Sequence, residues 1–128
     1  MAEMSKHVLG YLNNLMDRLN IPYAFMRWNT HPPDKYYFVG EYDEMAMPNL
    51  EENGMQETNV ILRGFTRGDW AALEEAREKI EKAAPMTAIL DDGTGIAVFY
   101  GGASVIPTGD MELKSIKINL QVQEWKVN

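Results

Sequence analysis

The sequence contains no cysteine. That absence excludes disulfides, thiolate metal sites and cysteine nucleophiles together. It permits a reducing compartment without requiring one, since many exported proteins also lack cysteine. Histidine is nearly as scarce, with only His7 and His31 present. No apolar run is long enough to cross a bilayer, so no membrane partner is expected. The opening stretch "MAEMSKHVLGYLNNLMDRL" spaces its apolar residues between Asn13, Asn14, Asp17 and Arg18, which does not read as a signal peptide. Internal repeats and low-complexity tracts are also lacking. One further absence is local. From Glu41 to Glu57 there is no basic residue, yet six of the 19 acids fall there, so the remaining 13 acids nearly balance the 12 bases. A formal net charge of −7 makes a poor grip for phosphate backbones.

The composition itself is that of an ordinary globular chain. With 128 residues, 45% hydrophobic and 24% charged, it suits a single domain over residues 1–128. A chain of this length buries roughly two-thirds of its unfolded surface and needs no covalent staples.

Hydrophobic periodicity gives the order of elements. Met4, Val8, Leu12, Leu15 and Leu19 recur at spacings of four and three, predicting a first helix whose apolar stripe Tyr11 and Met16 widen. Asn20 and Pro22 end it. "YAFMRWN" and "YYFVGEY" read as strands, and "THPPDK" between them as the turn of a hairpin. A long acidic loop over about residues 44–57 follows, carrying Pro48 and the turn signal "ENG". "TNVILRGF" resumes strand character. "FTRGDWAALEEAREKIEKAAP" then reads as a second helix. Thr66 serves as N-cap in a capping box with Asp69, and Phe65 and Trp70 form a hydrophobic staple. Leu73, Ala76, Ile80 and Ala83 form its narrow apolar stripe, with Glu75–Lys79 and Glu78–Lys82 as outer pairs.

"MTAIL", the turn "DDGTG" and "IAVFYG" predict a tight hairpin, and "GGASVIPTGD" a loop. In "ELKSIKINLQVQEWKV", Ile116, Ile118, Leu120 and Val122 alternate with Lys117, Asn119, Gln121 and Gln123. This is a strand with one face toward a core. The order is α-β-β-β-α-β-β-β. It predicts the α+β class, a mostly antiparallel sheet with two helices packed on one face.

Candidate chemistry is sparse. Glu41 and Asp43 share one face of a strand and are the best pair for carboxylate hydrolysis, which needs two carboxyl groups on a rigid scaffold. The neighbouring acids sit in a loop, where a solvated acidic surface is the simpler reading. "YDEMAMPNLEENG" lacks the spacing of a calcium loop. "DDGTG" and "GGAS" lack the lysine or following helix of phosphate-binding loops. Arg63 and Arg67 flank the second helix and suit an anion or a glutamate equally. No catalytic, metal or cofactor residue is nominated, and the chain is expected not to be an enzyme.

Met45, Met47 and Met55, with Leu50, lie among the like charges of the acidic loop. They either tuck onto the sheet or order against a partner. The last strand offers a second surface. If it lies at a sheet edge, Lys114, Lys117 and Lys126 guard that edge or pair with acids of an adjacent subunit. A basic strand and an acidic loop on one chain suit a head-to-tail ring. An alternative is a small ligand- or partner-binding domain of regulatory type, with Tyr23, Tyr36, Tyr37, Trp28 and Trp125 around an aromatic pocket.

In the order of "YYFVGEYDE", a long loop, "NVILRGFTRGDWAALEEAREKIEKA" and "LKSIKINLQVQEW", the chain resembles the tail terminator and tail-to-head joining proteins of long-tailed bacteriophages and prophages. The resemblance covers nearly the whole chain and rests on element order, since that family has no short signature motif. It implies a virion structural protein, made in the host bacterial cytoplasm, that assembles into a ring, commonly a hexamer. Tail-tube and head-connector proteins would be its partners. DNA would pass through the ring without specific binding, as an acidic lumen repels phosphate. The interface expected on this reading comprises Glu44, Met45, Met47, Leu50, Glu51, Glu52, Met55, Lys114 and Lys117.

Overall fold

The computed structural model describes residues 6–28, 30–42 and 56–126. Two helices and six strands follow the expected order: α1 (Lys6–Arg18), β1 (Tyr23–Phe25), β2 (Tyr37–Tyr42), β3 (Gln56–Thr66), α2 (Trp70–Ala83), β4 (Met86–Ile89), β5 (Thr94–Ile106) and β6 (Lys114–Lys126). The strands form one sheet in the order β1-β2-β3-β6-β5-β4. All pairings are antiparallel except β1 with β2. The fold is α+β, as the periodicity predicts.

The core lies on one face of this sheet. Phe38, Val60, Leu62, Ile96, Val98, Ile116, Ile118, Leu120 and Val122 are buried there, together with Val8, Leu12, Leu15 and Met16 of α1 and Leu73, Ala76 and Ile80 of α2. The period-two face of β6 and most of the period-3.6 stripe of α1 thus meet as expected. Met16, which seemed to widen the stripe, is fully within it at 1% exposure, whereas Leu19 is only partly buried. Gly64 lets α2 approach closely. A Cβ there would come within 2.6 Å of the Phe38 ring and 3.1 Å of Leu73.

The exit from α1 is a Schellman closure. The Asn20 N–H donates to the Asp17 carbonyl and the Ile21 N–H to the Met16 carbonyl, with Asn20 at φ 59°. Buried Ile21 supplies the hydrophobic contact that accompanies such a cap.

The structure corrects several local expectations. The first two strands are not a hairpin. β1 ends at Phe25, where Met26 adopts φ 70° and the Arg27 N–H donates back to the Phe25 carbonyl, closing a three-residue turn. The chain then recrosses through Pro32 and Pro33, and β2 returns parallel to β1. A parallel pair requires such a crossover rather than a two-residue turn.

The capping box does not form either. β3 continues to Thr66, whose hydroxyl donates to the Lys35 carbonyl at 2.7 Å and accepts from the Gly68 N–H at 3.0 Å. Asp69 is the N-cap, with its carboxylate accepting from the Ala71 N–H. Ion pairing on the α2 surface centres on Arg77, with Glu74, Glu78 and Glu81, not on Glu75–Lys79 and Glu78–Lys82. Gln56 and Glu57, read as the end of the acidic loop, begin β3. "GGASVI", read as loop, belongs to β5, which absorbs two glycines as a bulge between Tyr100 and Ala103.

Candidate assembly surface

Of the expected interface residues, Glu44, Met45, Met47, Leu50, Glu51, Glu52 and Met55 lie outside the described residues. Lys114 and Lys117 are described, and they do not guard an edge. β6 is interior, paired with β3 on one side and β5 on the other. The Lys114 ammonium donates to the Gly68 carbonyl at 2.8 Å, just ahead of α2. Lys117 lies between Arg63 of β3 and Ser104 of β5 on the face opposite the helices.

That opposite face carries polar pairs laced across the strands among apolar residues such as Val39, Ile61 and Phe65. Arg63 Nε donates to Glu41 Oε1 at 2.7 Å, so the carboxylate singled out for hydrolysis is held in an ion pair, and its companion Asp43 lies outside the described residues. The Gln121 and Gln123 amides both donate to the Glu57 carboxylate. Arg67 pairs with Asp110 at 3.0 Å. Both arginines considered for an anion therefore have carboxylate partners.

The aromatic residues do not converge on one pocket. Tyr23 lies over Gly40 on the core side, where burial pushes its hydroxyl up to about 12. Trp28 meets Tyr37 edge-on at 6.2 Å and donates its indole N–H to the Phe38 carbonyl. Tyr36 packs edge-on against Phe38. Trp125 lies far along the sheet, across Gly95.

His7, at the start of α1, is bracketed by carboxylates from distant parts of the chain. Its Nε2 lies 2.6 Å from Asp92 and its Nδ1 3.0 Å from Glu124. Both ring nitrogens thus face carboxylate oxygens from strands or turns remote in sequence. Asp92 is held down at about 2, chiefly by Thr94, whose backbone N–H donates to it, with a smaller contribution from His7. His31 makes only an exposed contact with Asp34 at 3.3 Å. Among the described residues no group of three or more His, Cys, Asp or Glu side chains could hold a metal ion, and no helix is long and apolar enough to cross a membrane.

The surface with the clearest capacity for contact lies on β5. β4 pairs only with Gly95–Val98, and β5 continues to Ile106. Along Phe99–Ile106, β5 has β6 on one side and no backbone partner on the other among the described residues. Apolar side chains are exposed around this margin: Phe99 at 37%, Val105 at 63% and, in the following loop, Met111 at 99%. A pocket of about 440 Å³ opens beside them, walled by Trp70, Ile106, Pro107 and Leu113. Sequence reasoning missed this margin because "FYGGASVI" carries no mark of an edge. Only the shortness of β4 reveals it, and its partners follow from the sheet order.

No protein-family model matches the chain, and no curated protein matches it significantly.

Proposed function

We propose that this chain is a structural subunit that works by assembling into a ring, in the manner of the tail terminator and tail-to-head joining proteins of long-tailed phages and prophages. The observation that carries the reading is the distribution of exposed apolar surface. Of the five large hydrophobic side chains exposed among the described residues, Ile89, Phe99, Val105 and Met111 lie on β4, β5 and the loop behind β5. Exposed apolar residues that fall along one side of the sheet, rather than over the whole surface, suit a contact surface. The order of elements that carries the phage resemblance supports the same reading, as does the net charge of −7, which lets DNA pass without adhering. In this role the protein performs no chemistry. Tail tube and head connector are its partners, and the virion is its destination.

Sedimentation velocity across a wide concentration range, with electron microscopy of the protein alone and on tail tubes, tests the reading. Rings or a concentration-dependent oligomer are the expected result. A strict monomer that also fails to bind tail-tube protein would overturn it.

A further inference from the structure

The two margins of the sheet differ in charge and in shape. At the β1 margin the strand is only three residues long. It ends in Met26, 58% exposed, and exposed Arg27. Arg18 at the end of α1 is exposed as well, and no acidic residue occurs from Arg18 to Pro33. The far margin is the edge of β5 beyond β4, which has no strand beside it among the described residues. Phe99–Ile106 contains no charged residue or proline of the kind that keeps edge strands apart, and its edge is interrupted only by the bulge between Tyr100 and Ala103. Along it runs a groove of about 240 Å³ between α2 and β5, bounded by Glu74, Arg77, Tyr100, Ser104 and Val105. Arg77 donates to Glu74 at 3.1 Å and Glu81 at 2.7 Å, with Glu78 at 4.0 Å. Three carboxylates share one guanidinium beside the groove, and α2 as a whole carries Glu74, Glu75, Glu78 and Glu81 against Arg77, Lys79 and Lys82.

We infer that the β5 margin of one copy receives the β1 margin of the next, head to tail, so that the sheet of one subunit runs on into its neighbour. This rests on the assembling reading above and names its contact. Charge favours the occupant: a margin where exposed Arg18 and Arg27 stand beside a single acid, Asp17, meets an uncharged edge flanked by the glutamates of α2. Met26 brings an apolar side chain to a margin that exposes Val105 on the face bearing the helices and Phe99 on the other. The open backbone of β5 supplies hydrogen bonds to any extended strand laid beside it. Two-fold pairing of β5 with itself would set the glutamates of two α2 helices against each other. Because the two patches differ, each subunit keeps one margin of each kind free. The contact therefore propagates, and it closes into a ring when the rotation permits.

The lack of cysteine makes a clean test possible, since engineered thiols report without background. Met26→Cys and Ser104→Cys variants are mixed and oxidised. A covalent dimer is expected in the mixture and in neither variant alone. Arg27→Glu should weaken association by about tenfold, and a second change, Glu78→Lys, should restore it. Circular dichroism melts of these exposed-site variants confirm that each is folded. Cross-linking of Ser104→Cys with itself would show two-fold pairing and overturn the inference. An oligomer that persists without cross-linking and ignores both charge changes would overturn the inference while leaving the assembling reading intact. A strict monomer would overturn both.

Discussion

The two faces of the sheet place glycine under an aromatic ring in the same way and to different ends. On the packed face Gly64 lies beneath Phe38, which is 0% exposed and also touches the α2 side of the core. On the open face Gly95 lies beneath Trp125, which is only partly buried. Under Phe38 the ring is locked between sheet and helix, so a methyl group has nowhere to go. Under Trp125 solvent borders the indole, and the ring can lift. Close packing is thus a property of the layer above the glycine, not of the glycine.

The largest expected effect is on the packed face. Phe38→Ala should destabilise the fold by about 3–5 kcal/mol, read as a shift of the urea midpoint at unchanged slope. Gly64→Ala comes next, at about 1–3 kcal/mol, because the neighbouring ring and Leu73 must both shift. Gly95→Ala should cost less than Gly64→Ala, because the single ring it meets, Trp125, is only partly buried and can shift toward solvent. If Gly95→Ala proved as costly as Gly64→Ala, the open face would be as rigid as the core and the contrast would fail. Glu41→Gln sharpens the comparison further. It removes the half-exposed Arg63 pair, and about 0.2–1 kcal/mol is expected.

The smallest effect is confined to acid. Asp92 has its folded value lowered to about 2, so its contribution is complete above the usual carboxylate range and is lost as pH falls from about 4 toward 2. Asp92→Asn should remove that part of the acid dependence, measured as a flatter plot of melting temperature against pH over this interval.

How far the sequence could be read followed from how local each determinant was. Ile116, Ile118, Leu120 and Val122 declare their shared face by period alone, and Val8, Leu12 and Leu15 declare theirs by spacing. Both patterns depend on residues within a few positions of one another. β1 was misjudged because nothing within "YAFMRWN" tells a hairpin from a crossover. That choice is made by the turn at Met26 and by where β2 finds a place in the sheet. Thr66 misled because Thr-x-x-Asp matches a cap, while the pairing of Thr66 with Lys114, remote in sequence, extends the strand through it. Lys117 could guard an edge only if β6 were one, and the β3–β6–β5 order places β6 inside the sheet. The β5 margin was illegible for the same reason, since an edge is defined by which strand is not beside it.

The interior position of β6 has a consequence for how the protein is made. β6 is synthesised after both of the strands it separates, β3 and β5. Until it emerges from the ribosome, β3 and β5 share α2 above their apolar faces but no strand between their edges, and the two halves of the sheet remain unjoined. Closure of the core is therefore a late event that awaits release of β6, and it depends on contacts distant in sequence. A chain halted before Lys114 would expose two long strand edges, Gln56–Thr66 and Thr94–Ile106, in place of one bounded margin. Such a fragment should aggregate rather than fold in part.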